Sequence, residues 1–62
     1  MSKNEAVKII LQLKPSDGII VNGDANQRKI LSYGKLLYDV GRIQYRLSSR
    51  RVGSKQWKVV AV

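Results

Sequence analysis

The sequence predicts an α+β domain: a compact helical part of two or three helices, a short strand among them, and a C-terminal basic β-hairpin. Three observations carry this. Apolar residues recur at the helical period in residues 2–14 and again in 24–41. "GIIV", residues 18–21, sets three β-branched residues between turn signals. From Arg42 onward the apolar period drops to two, which is the period of a strand.

The first helix opens at "SKNE", where Ser2 and Glu5 have the spacing of a capping box. Ala6, Ile9, Ile10 and Leu13 fall on one arc, widened by Val7 and Leu11, with Glu5, Lys8 and Gln12 opposite. Pro15 and the "PSDG" turn signal stop it. "GIIV" then reads as a short buried strand ending in "NGD". The second helical region is "DANQRKILSYGKLLYDVG", with Asp24 and Gln27 spaced as a second capping box. Ile30, Tyr33, Leu37 and Val40 share one face, with Leu36 beside them. Gly34 in its middle marks either a close contact or a break between two short helices. Gly41 reads as the C-terminal cap.

In "RIQYRL", residues 42–47, Ile43, Tyr45 and Leu47 alternate with Arg42, Gln44 and Arg46, which gives one apolar face and one polar, basic face. "SSRRVGSK" reads as a flexible tip, mobile without ligand. "QWKVVAV" reads as the second strand, with Trp57, Val59 and Ala61 on one side and Lys58, Val60 and Val62 on the other. The competing reading is a helix over Val40–Arg51. It joins Ile43 to Leu47, throws Tyr45 to the far side and needs Gly41 inside; the hairpin is preferred.

The 62 residues make one small domain, 1–62, with neither Cys nor His. Disulfides and ordinary zinc sites are excluded, and with them the commonest general base and the thiol nucleophile. The four acids have local structural explanations, and "GDANQRK" lacks the spacing of a phosphate-binding loop. An enzyme is not expected, nor a cofactor or metal. No apolar run approaches the ~20 residues of a membrane span, and the N-terminus is too interrupted for a secretory signal. The expected setting is soluble and cytoplasmic, or nucleoid-associated, with no membrane partner.

Charge points to a partner. The net charge is +8 and very uneven. Residues 1–39 carry six Lys/Arg against four acids, whereas residues 40–62 carry six against none. A polyanion suits this asymmetry. Arg28, Lys29, Lys35, Arg42, Arg46, Arg50, Arg51, Lys55 and Lys58 are the candidate nucleic-acid-binding residues. Arg forks bind phosphate bidentately, and Ser48, Ser49 and Ser54 add short donors. Tyr45 and Trp57 are expected to pack across the strands rather than stack on bases.

Helix, short strand, helical region and basic hairpin, in that order, resemble a compact winged helix-turn-helix domain. In that comparison "GIIV" matches the small first strand, "RIQYRL" and "QWKVVAV" the wing strands, and "SSRRVGSK" the wing tip. The family needs two helices in the middle, and residues 24–41 are short for both. Either a break near Ser32–Gly34 divides them, or "RIQYRLSSRRV" is the recognition helix. The resemblance implies a DNA-binding protein, such as a transcriptional regulator or a recombination accessory factor. Duplex DNA is favoured over RNA, and homodimerisation or cooperative binding is expected for useful specificity. The alternatives are an RNA-binding or ribosome-associated module, and an inhibitor or adaptor whose basic face docks on an acidic protein partner.

Overall fold

The computed structural model describes residues 1–14 and 17–62. Five elements follow in order: α1 (Lys3–Gln12), β1 (Gly18–Asn22), α2 (Asp24–Asp39), β2 (Leu47–Gly53) and β3 (Gln56–Ala61). The domain is therefore α+β, with two helices, an antiparallel sheet and a C-terminal hairpin.

Ser2 starts α1 as its sequence context requires. Its backbone is extended, and its Oγ accepts the Glu5 N–H at 3.2 Å. Leu13 ends the helix by donating its N–H to Ile10 O. The expected stop at Pro15–Ser16 lies outside the described residues. Ala6, Ile10 and Leu13 are buried, whereas Leu11 remains exposed.

The sheet order is β1-β3-β2, so the last strand lies in the middle. Both pairings are antiparallel, with Val21 opposite Trp57 and Ser49 opposite Val59. Strand alternation then gives the sheet two unlike faces. Val21, Val59 and Ala61 are buried on the inner face. Ile20, Ser48 and Arg50 are exposed on the outer one. α2 packs on all three strands and on α1, which makes it the central element. The core joins Ala6 and Ile10 of α1, Ile30 and Leu37 of α2, Val21, Ile43 and Val59.

α2 is one continuous helix of 16 residues. Its N-cap is Gly23, at φ 92°, and not Asp24. The expected Asp24–Gln27 capping box is absent because both side chains bond elsewhere. Trp57 Nε1–H donates to Asp24 Oδ1 at 2.8 Å, and Gln27 Nε2 donates to Ser49 Oγ at 2.9 Å. The buried face runs through Gln27, Ile30, Gly34 and Leu37. It is rotated from the expected one, so Tyr33 is half-buried and Leu36 and Val40 are exposed. Gly34 does not break the helix. It makes room for Leu47: a Cβ there would stand 3.0 Å from Leu47 Cγ and closer still to Cδ1.

The end of α2 is a Schellman turn. Gly41, at φ 78°, donates its N–H to Tyr38 O at 3.0 Å, and Arg42 donates to Leu37 O at 2.8 Å. The chain leaves the helix there, which rules out a helix over Val40–Arg51 and a recognition helix in "RIQYRLSSRRV".

The hairpin is present but displaced along the sequence. Residues 42–46 are not a strand, because the ladder with the end of β3 begins only at Arg46, whose N–H and C=O pair with Val62. The alternation in this stretch is nevertheless real: Ile43 is buried, Tyr45 and Leu47 half-buried, and Arg42, Gln44 and Arg46 exposed. Tyr45 is fixed by its hydroxyl, which donates to Ile10 O at 2.6 Å. Conversely, most of "SSRRVGSK" is not a flexible tip. Ser48 to Arg51 pair residue by residue with Val60 to Trp57, Val52 is bulged out, and the turn is confined to Ser54–Lys55. Ser and Gly resemble loop residues by type, but the ladder offered by β3 determines their conformation.

A winged helix-turn-helix asks for two helices between β1 and the hairpin. One stands there, so residues 24–46 form no helix-turn-helix pair.

Candidate nucleic-acid interface

β2 is an edge strand, and it organises most of the basic residues. Arg50 and Arg51 are consecutive and so lie on opposite faces of the sheet.

On the outer face, Arg50 stands directly opposite Lys58 of β3. Like charges in this relation oppose sheet formation. Ser48, Ser49, Arg50, Lys58 and Val60 line a shallow depression here, which combines two cations with the Ser48 hydroxyl, since the Ser49 side chain points inward to Gln27. The Lys58 stem lies along the sheet over Gly18, where a Cβ would come within 2.7 Å of Lys58 Cε. Glycine at that position lets the lysine lie flat. Lys55 sits at the hairpin turn, where its carbonyl accepts the Gly23 N–H at 2.7 Å.

On the other side of β2, the flank of α2 contributes a second basic group. Lys35 and Arg46 line one groove between α2 and the start of β2, with Leu31, Tyr38, Leu47 and one acid, Asp39. The Arg46 guanidinium lies 4.9 Å from the Tyr38 ring centroid, which orients it while leaving it exposed. Arg28 is seven residues before Lys35 and thus on the same helix face. Arg51 stacks on Trp57 at 4.9 Å, and its Nη2 is 3.9 Å from Asp24 Oδ1. That contact is solvent-exposed and worth about 0–1 kcal/mol. It is the one ion pair among the described residues, against twelve Lys and Arg.

The nine candidate residues therefore do not form a single patch. Arg50 and Lys58 are on the open sheet face, Lys55 is at the turn, and Arg28, Lys35, Arg46 and Arg51 are on the α2–β2 side. Lys29 and Arg42 lie apart from these. Lys29 Nζ donates to Met1 O at 2.6 Å, and Arg42 lines the groove between α1 and α2. Sequence clustering could not separate these groups, because helix phase and the Schellman turn decide the side. Ser49 is more than a polar loop residue: its Oγ holds the buried Gln27 amide, and the sequence carries no signal of it, because the inward residues of β2 are Leu47, Ser49 and Arg51.

Among the described residues there is no cluster of three or more acidic, Cys or His side chains able to hold a metal. No helix among them is long and apolar enough to cross a membrane. Comparison with protein-family models, with curated proteins and with solved structures gives no match.

Proposed function

We propose that this chain is a small duplex-DNA-binding protein, regulatory or accessory in role, that grips phosphates along β2. The observation that carries the reading is the register that sets Arg50 directly opposite Lys58 on adjacent strands, neither cation having a carboxylate partner among the described residues. Such a pair costs stability in the free protein and gains it when an anion bridges the two groups. Arg28, Lys35, Arg46 and Arg51 add positive charge on the α2 side of the same edge strand, and Lys55 adds it at the turn.

The dimensions suit a phosphodiester backbone. Seven residues of β2 extend about 20 Å, a length over which one DNA strand presents about six phosphates. Sequence discrimination is expected to be weak, since these contacts go to the backbone.

The test is fluorescence anisotropy on a mixed-sequence duplex at low salt, with the parent and an Arg50→Ala, Lys58→Ala double variant. The parent is expected to bind and the double variant to bind at least about tenfold more weakly, two phosphate contacts being lost. A parent that binds no duplex at low salt refutes the proposal, as does a double variant with unchanged affinity.

A further inference from the structure

The nucleic-acid reading leaves one side of the molecule unused. Between α1 and α2 runs an open groove whose exposed apolar residues are Leu11, Leu36 and Val40, at 45%, 56% and 68% exposure. Val7 and Tyr33, both half-buried, form part of its floor. Around it stand Lys3, Lys8 and Arg42, and no acidic residue lines it. Three large apolar side chains exposed along one groove are unfavourable in water for an isolated domain and mark a surface that takes a partner.

The rim charge identifies the chemistry of that partner. A second copy of this chain would bring three further cations against the first three, on top of a net charge of +8 per molecule. Nucleic acid would satisfy the rim but leave Leu11, Leu36 and Val40 without apolar contacts. An amphipathic helix with acidic flanks satisfies both. Its apolar side chains at i, i+4 and i+7 enter the groove, while its Asp and Glu meet Lys3, Lys8 and Arg42. We infer that the α1–α2 groove is a docking site for an acidic amphipathic helix of another protein. This surface is separate from β2, so DNA and the partner helix are held at the same time.

The experiment is an NMR titration of the full chain with two synthetic helical peptides. Both carry leucines at i, i+4 and i+7; one has Glu flanks and the other Lys flanks. The Glu-flanked peptide is expected to bind, with shifts at Leu11, Leu36 and Val40, at least about tenfold more tightly than the Lys-flanked one. Leu36→Ser removes an exposed side chain and leaves the fold intact. It is expected to weaken the Glu-flanked peptide about tenfold or more while leaving duplex affinity unchanged. Arg42→Glu is expected to reverse the preference between the two peptides. Equal affinity for both peptides would overturn the inference, as would shifts confined to β2. Self-association of the parent, abolished by Leu36→Ser, would overturn it in favour of a second copy.

Discussion

Gly34 and Leu47 make a contact whose energetics can be read in both directions. Replacing Gly34 by Ala in a helix interior ordinarily stabilises by about 1 kcal/mol. Here the added Cβ would stand 3.0 Å from Leu47 Cγ, tighter than normal packing. Overpacking of this kind costs about 1–3 kcal/mol. Gly34→Ala alone is thus expected to destabilise by about 0–2 kcal/mol, the difference of the two terms. Leu47 is half-buried, so Leu47→Ala is expected to cost about 1–2 kcal/mol, below the ~2–5 kcal/mol of a fully buried leucine. With Leu47 already truncated the clash is gone, and Gly34→Ala becomes stabilising by about 1 kcal/mol. Urea denaturation of the parent, both single variants and the double variant gives the coupling directly, at about 1–3 kcal/mol. If Gly34→Ala stabilises the parent as much as it stabilises the Leu47→Ala protein, the two residues are not in contact. The reason given for a glycine in mid-helix is then wrong.

Tyr45→Phe removes the hydroxyl that donates to Ile10 O at 2.6 Å and ties the α2–β2 connection to α1. It is expected to lower stability by about 0.5–1.5 kcal/mol in thermal melts with duplex affinity unchanged, and an unaltered melting temperature would count against that tie. Lys58→Glu replaces a like-charge cross-strand pair by an opposite-charge one. It is expected to raise stability by about 0.2–1 kcal/mol while weakening duplex binding, and a variant that loses both would show Lys58 to be structural.

Much of the fold was legible in local sequence. The Ser2 cap, the Ala6–Ile10–Leu13 face and the inward set Val59 and Ala61 follow from periodicity and chain direction, and all take their places. What failed depended on contacts between distant parts of the chain. Gly34 read equally as a close contact or a helix break, and the contact is the one realised, with a partner, Leu47, thirteen residues away. Ser48–Gly53 looked like a tip because Ser, Arg and Gly suit turns, yet β3 supplies each of Ser48 to Arg51 with a cross-strand neighbour. Gln27 looked like a capping residue, whereas Ser49 draws its amide into the helix–sheet interface. The candidate site was legible as a charge imbalance, but not as a surface. The broad apolar arcs of α1 and α2 exceed what the two helices bury against each other. That excess is the sequence trace of the α1–α2 groove.

If the basic residues along β2 neutralise phosphates, as proposed, duplex binding must weaken steeply with salt. Anisotropy titrations over a range of salt are expected to give log K against log salt with a slope of about −4 to −5, for about five phosphates neutralised. The Arg50→Ala, Arg51→Ala, Lys55→Ala triple variant is expected to fold and to lose about 2 to 3 units of that slope, roughly one per phosphate contact removed. A triple variant with the parent's slope and affinity, or a parent slope near zero, would contradict the account.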